Sequence, residues 1–559
     1  MTAGPGRRGR PAAGRLALLS AGVLLLAGAA GWAIAGRDAD SGHVAVPLFV
    51  EEAAGAGIEH RYDGEFTYFV GGGVAAFDCD DDGSQDLYFA GGSSAAALYR
   101  NASPVGGALH FERIPDAATD LDAVTGAYPL DVDGDGRTDL AVLRVGEDVL
   151  LRGLGDCRFE RANETWGFDG GDAWTAAFSA TWEPDAALPT LAFGNYLELD
   201  ATGRPLSDFA CDTSDLFRPV ADRDGYGDPT ELSPGWCALS VLFSDWDRSG
   251  RRDLRISNDR HYYRDGEEQL WRIEPGAAPR LWTHEEGWQT LRVFGMGIAS
   301  SDVTGDGYPE VYLTSQADNK LQTLVDGAAQ PRYRDMALEA GVTATRPYAG
   351  DTTLPSTGWH AEFADVNNDG LVDLFVAKGN VEAQEGYAMR DPSNLLMGQP
   401  DGTFEEGAMT AGIVEFARAR GAALVDLNLD GLLDLVVANR RENVDLWRNL
   451  GSGSTEAPAP MGNWVAIELG EDGANSDAIG AWIEVRAGDR VWTREVTVGG
   501  GHAGGQLGWI HVGIGDAEGA EVVVRWPDGE ASEPIAIAAN RFVRIRRDAS
   551  APEYWTPPD

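Results

Sequence analysis

The sequence predicts an all-β chain: a seven-bladed β-propeller followed by a small β-sandwich or barrel, with a hydrophobic helix at the N-terminus. Three observations lead there. A nine-residue acidic loop recurs six times, each copy followed by an aliphatic, strand-like run. The spacing of the copies is about 60 residues or a multiple of it, the length of four short strands and their turns. Finally, 72 glycines among 559 residues call for many tight turns, and they show no Gly-X-Y period.

A formal charge of −45 excludes nucleic acid and anionic lipid headgroups as partners for the bulk of the chain. Hydrophobic residues at 43% and charged residues at 24% are those of a globular protein. Residues 1–36 read as a signal peptide or a signal anchor. Arg7, Arg8, Arg10 and Arg15 precede an uncharged stretch, 16–36, long enough to span a bilayer. The positive-inside rule then sends the rest of the chain out of the cytoplasm, either anchored by that stretch or released after Ala33-Ile34-Ala35. Membrane contact is expected only through 16–36, if it is retained. In an exported chain the four cysteines favour disulfides over free thiols. Cys211 and Cys237, which bracket a polar stretch, are the candidate pair, while three connectivities stay open.

The acidic loops carry the chemistry. Oxygen-bearing side chains stand at positions 1, 3, 5 and 9 around a glycine at position 6. The candidate ligands are Asp78, Asp80, Asp82 and Asp86 in the first loop and Asp131, Asp133, Asp135 and Asp139 in the second. The third offers Asp245, Asp247, Ser249 and Asp253, and the fourth Asp302, Thr304, Asp306 and Glu310. Asp365, Asn367, Asp369 and Asp373 form the fifth set, and Asp426, Asn428, Asp430 and Asp434 the sixth. Calcium takes six to eight oxygens and suits this donor set, whereas an EF-hand would need a Glu at position 12, where only apolar residues stand. Up to six structural calcium ions are therefore expected, with the third and fourth loops weaker because Ser249 and Thr304 replace acids. The alternative for any one loop is a plain Asp-Gly turn. The interval between the second and third loops is double, and residues 176–196 fill it with the same strand, turn and strand outline, which brings the count to seven.

An aromatic residue followed nine positions later by an apolar one recurs before several repeats, at Phe159 and Phe168, Tyr333 and Val342, and Phe404 and Ile413. It also occurs at Phe49 and Ile58, while the seventh repeat lacks it. Residues 48–58 are therefore expected to complete the last blade and close the ring. The propeller is placed at 44–452, a linker at 453–462, the second β domain at 463–547 and a tail at 548–559. In that second domain GGGHAGGQLG, 499–508, fails the phosphate-loop pattern and reads as a turn.

Loops with flanks such as GGGVAAFDCDDDG and WHAEFADVNNDG resemble the FG-GAP repeats of integrin α-chain propellers. NSDAIGAWIEVRAGD, REVTVGGGHAGGQLGWIHVGIGDA and VVVRWPDGE resemble the ASPIC/UnbV domain, although Ser476 and Ala478 stand where that resemblance implies Arg and Gly. Together these parts resemble the cartilage acidic protein family in its bacterial form. The resemblance implies an exported, calcium-binding, non-catalytic protein that engages a protein or glycan ligand outside the cytoplasm. The competing reading is a polysaccharide lyase or hydrolase on a propeller scaffold. Against it, the eight histidines form no zinc motif and no Gly-x-Ser-x-Gly elbow occurs. His360 with Glu362, and His261 with Tyr262 and Tyr263, read as packing or rim residues.

Overall fold

The computed structural model describes residues 44–558 apart from 201, 207–208, 221–224, 260–265 and 326. The expected signal or anchor helix and His261 with its two tyrosines lie outside the described residues. Among the described residues no helix is long and apolar enough to cross a membrane.

Seven four-stranded antiparallel sheets form the propeller. The innermost strands, from Val74–Phe77 in the first blade to Arg418–Val425 in the seventh, pack against those of neighbouring blades around the central axis. They are short and rich in Ala, which lets adjacent sheets approach, and most are buried throughout. Larger residues such as Phe77, Tyr88, Phe178 and Phe363 fill the widening space between blades. The seventh blade takes three strands from the end of the ring and its fourth, Phe49–Glu51, from the beginning, with Phe49 opposite Asn449 and Glu51 opposite Trp447. Buried Arg448 grips Glu52 at 2.8 Å and fastens that closure.

The repeating aromatic and apolar pair marks the blade corners. After the outer strand comes one helical turn, Ala53–Ala56, Ala337–Ala340 or Ala408–Ala411, which puts Ile58, Val342 or Ile413 into the core between sheets. Gly57 ends the first of these turns at φ 87°, and a Cβ there would meet the Phe111 carbonyl of the adjacent outer strand at 2.9 Å.

The third blade begins with Thr175–Thr181 and Thr190–Asn195, the acid-poor repeat. The stretch after Asn195 supplies the rest of this blade, because Ser214–Phe217 and Thr230–Leu232 are its outer two strands. A Cys211–Cys237 disulfide, with Cα atoms 4.6 Å apart, ties the stretch to the start of the fourth blade. A second disulfide joins Cys79 in the first acidic loop to Cys157 in the second blade.

The C-terminal domain is a sandwich of two four-stranded sheets around a core that includes Val465, Ile483, Val522 and Val543. Asn463–Gly470 runs parallel to Arg541–Arg546 in one sheet. Two strands were not foreseen. Ile535–Ala538 is short, and Glu553–Trp555 lies in the stretch read as a tail, where pairing with Arg541–Arg546 and packing of Trp555 on Trp509 and Phe542 order it.

The glycine run at 499–508 is more than a turn, because it threads the central channel. Residues 498–506 pair with inner strands of five blades, Val498 opposite Ala180, Gly499 opposite Leu242, Gly501 opposite Ile298, Gly504 opposite Ala127 and Gln506 opposite Ala76. The sixth blade joins through His360, whose Nδ1 accepts the His502 backbone N–H at 3.1 Å, and Glu362, which accepts from Gln506. At the tip His502 is fully buried against Trp359, and burial pushes its imidazole down to about 3, so it is neutral. Glycine is required because backbone meets backbone: a Cβ on Gly73 would lie 1.7 Å from the Ala503 carbonyl oxygen.

Candidate functional site

Each acidic loop closes the hairpin between the first and second strands of its blade, and position 9 opens the second strand. The backbone is alike in all six copies. Positions 4 and 6 lie in the left-handed region, the glycines at 6 spanning φ 80° to 89°, so the chain curls around the side chain of position 1. That carboxylate accepts the position 6 N–H in every copy, for example Asp78 from Gly83 at 2.7 Å and Asp426 from Gly431 at 2.8 Å. Position 9 is the staple: Asp86, Asp139, Asp373 and Asp434 each accept the N–H of position 2 with one oxygen and an N–H of the blade's third strand or its end with the other.

The remaining lone pairs converge. In the first loop Asp78, Asp80 and Asp86, and in the second Asp131, Asp133 and Asp139, each offer an oxygen within 4.8 Å of the others, a spread that calcium–oxygen bonds of about 2.3–2.6 Å can bridge. Five loops also bury an oxygen with no hydrogen-bond partner: Asp80 Oδ1, Asp133 Oδ1, Asp245 Oδ1, Asp302 Oδ1 and Asn428 Oδ1. Such orphaned acceptors cost free energy unless a cation or water meets them. Burial pushes Asp78 up to about 7, Asp139 to about 8 and Asp365 to about 8, with neighbouring carboxylates adding to the rise. The donor set fits calcium in the first, second, fourth, fifth and sixth loops, although Thr304 in the fourth donates to Glu310 at 3.2 Å and Arg152 stands against Asp133 and Asp135 in the second.

The third loop does not fit. Arg251 Nε donates to Asp253 Oδ1 at 2.9 Å and its Nη2 lies 3.5 Å from Asp247. The indoles of Trp246 and Trp282 donate to Asp253 Oδ2 at 2.9 and 2.8 Å, and Ile273 N–H to Oδ1 at 3.2 Å. These donors take the lone pairs of Asp253 and set a guanidinium beside Asp247, so this loop carries its own cation at positions 3 and 9, while Asp245 Oδ1 stays buried without a partner. Arg251→Ala is expected to free those acceptors: calorimetric titration should find one more equivalent of calcium than in the parent protein. An unchanged stoichiometry would show that the loop is not a latent ion site.

All six loops lie toward the C-terminal sandwich, which rests on five of them directly and leaves Asp82, Ser249 and Asp306 exposed. Trp509 Nε1 donates to the Gly83 carbonyl at 3.1 Å, Ser476 Oγ to Asp131 at 2.6 Å, and Trp492 Nε1 to the Gly370 carbonyl at 2.9 Å. Glu495 accepts the Asp245 N–H at 2.8 Å, and Trp464 lies directly on Gly431. The fourth loop connects through Arg248, which bridges the Gly307 carbonyl and Glu484. Sequence reasoning found the loops but not their cover, because nothing local in 463–559 announces which face it meets. His360 is a buried channel residue beside Glu362, 3.6 Å away.

Comparison with known proteins agrees with this division. Residues 78–142 and 365–437 match the model of the FG-GAP-like repeat, and residues 471–552 that of ASPIC and UnbV. The chain is similar to cartilage acidic protein 1 of Mus musculus, 25% identical over 194 residues, a match covering 32% of this chain and 28% of that protein. Among solved structures it is similar to BBS1N from a complex with ARL6DN, at a TM-score of 0.39 and 11% identity, covering 72% of this chain and 96% of that one. An Agrocybe aegerita lectin that recognises non-reducing terminal N-acetylglucosamine gives a TM-score of 0.37 at 15% identity, covering 65% and 88%.

Proposed function

We propose that this chain, which joins FG-GAP-like repeats to an ASPIC and UnbV domain and so has the makeup of a protein-interaction module, is an exported, calcium-stabilised and non-catalytic binding protein. One observation carries the calcium reading: the same loop geometry recurs in six of the seven blades, and five copies hold a buried, unpartnered oxygen, four of them in loops whose donor sets fit calcium. Because the sandwich rests on the face that carries the loops, the ions are structural. They neutralise the face on which the C-terminal domain sits and do not bridge to a partner, which leaves the outer rim, the opposite face and the gaps around the sandwich for recognition. Export draws support from the two disulfides, which persist in oxidising compartments, and from the similarity to cartilage acidic protein 1.

At millimolar calcium and a Kd of about 10⁻⁴ M, each ion stabilises by about 1.4 kcal/mol, so five ions supply an amount comparable to the whole stability of a typical domain. The test is the thermal midpoint of the purified protein in excess EDTA, then in calcium, with magnesium as control. A calcium-specific rise of about 5 °C is expected for a chain of this size. No rise, together with no metal in elemental analysis, would overturn the reading.

A further inference from the structure

Two propeller turns that depart from the acidic pattern are neighbours. The third blade's turn has Trp182 where the other loops have their first Asp and keeps only Glu183 and Asp185 as acids, and the adjacent loop of the fourth blade carries Arg248, Arg251 and Arg252. Here the sandwich stands away from the ring and leaves a cleft of about 760 Å³, within the range of small-ligand sites. Its walls come from these two turns, the fourth acidic loop with Tyr308, and the sandwich with Trp482, Arg525 and Trp526. The indole of Trp482 is fixed by the Arg248 guanidinium, 4.6 Å from its ring centre.

Most charges in the cleft are already matched. Arg248 pairs with Glu484, Arg251 with Asp253, Glu183 with Arg218, and Asp528 with Arg547. Arg252 makes no ion-pair contact but stands in the field of Asp245 and Glu495, and Arg525 has no acidic partner at all among the described residues. Arg252 Nη2 donates only to the carbonyls of Gly480 and Pro527, at 2.7 and 2.9 Å, and its Nε is buried without a partner. Arg525 Nη1 donates to the Gly529 carbonyl at 3.2 Å, and neither arginine forms an ion pair among the described residues. Trp182, 8% exposed, also has a buried indole N–H without a partner. In a chain of net charge −45, an exposed guanidinium without an acidic partner at the edge of such a cleft is a specific arrangement, not the general surface.

We propose that this cleft binds a carboxylated saccharide, such as a uronic acid residue of a glycan. The carboxylate would take the planar fork of a guanidinium, an interaction that is charge-assisted and directional. Ring or hydroxyl oxygens of the sugar accept from Trp182 Nε1. This deepens the interaction reading above and rests on it.

The test uses the calcium-loaded protein and three probes: a glucuronic-acid-terminated disaccharide, its glucose-terminated counterpart, and a tetraglutamate peptide. Binding is followed by calorimetry and tryptophan fluorescence. The acidic sugar is expected to bind at least about tenfold more tightly than the neutral one, because one charge-assisted pair separates them. Arg525→Gln, on an exposed side chain, should lose about tenfold for the acidic sugar alone. Trp182→Phe keeps a ring and should weaken both sugars. Equal affinity for the two sugars, binding of neither, insensitivity to Arg525→Gln, or tighter binding of the peptide would each overturn the proposal. Calcium-dependent retention of an envelope component by a protein that ignores the sugars would leave the interaction reading intact and sink only this inference. Loss of both would sink the reading too.

Discussion

Gly73→Ala is expected to destabilise the protein by about 3 kcal/mol and to loosen residues 498–506 from the channel. The added Cβ falls 1.7 Å from the Ala503 carbonyl oxygen and 2.3 Å from its carbon. Both sides of this contact are backbone, so no rotamer change relieves it, and either the inner strand or the threaded segment must move. Gly126 faces the same carbonyl at 2.1 Å, and alanine there should act in the same sense. Gly55→Ala is the control, since that glycine is helical with open space around it and alanine favours the helix. Hydrogen exchange reads the outcome residue by residue: amides of 498–506 should exchange faster in Gly73→Ala while the outer strands of the blades stay protected. Unchanged protection of that segment would mean that it does not occupy the channel in solution.

The second large effect is a dependence of stability on pH that calcium reverses. Asp139 and Asp365 are held near 8 by burial, against an ordinary value of about 3.9. Without calcium, the folded protein therefore keeps protons that the unfolded chain has released. A raised folded value contributes stability that is complete below about pH 4 and is lost as pH climbs toward 8. The slope is up to about 1.4 kcal/mol per pH unit for each fully buried group. Calcium binds only the ionised carboxylates, so its stabilisation grows over the same window. In EDTA the midpoint should fall between pH 5 and 8, while in millimolar calcium it should hold or rise, so the two curves diverge with pH. Parallel curves would show that these carboxylates are not calcium ligands.

What the sequence made legible was set by range. Each acidic loop is a local object: the glycine at position 6 answers to a left-handed φ, position 1 to the N–H five residues later, and position 9 to the strand that it opens. Such constraints write themselves into nine consecutive residues, and six copies fix the blade period. Closure by Phe49–Glu51 was also readable, because the corner pattern at Phe49 and Ile58 had no other blade to complete. The threaded segment was not readable. Gly73 and Ala503 are distant in the chain, and a glycine demanded by a remote carbonyl looks like one demanded by a turn. Arg251 escaped for a related reason, since Arg251 and Arg252 are adjacent and alike in sequence, yet one fills a loop of carboxylates and the other reaches two carbonyls of the sandwich. The second disulfide needed the register between blades to select Cys157 for Cys79.

Closing the ring with its own beginning orders events in time. The strand Phe49–Glu51 leaves the ribosome about 400 residues before its partner Asp445–Asn449 exists, and the axial segment follows later still. At a synthesis rate of about 5–20 residues per second, the first strand waits roughly 20–80 s with its edge open. A truncated chain has neither a sealed last blade nor a filled axis, whichever repeats it has completed. The ring is sealed only when the strand Asp445–Asn449 and the axial segment have both been made, long after the opening strand.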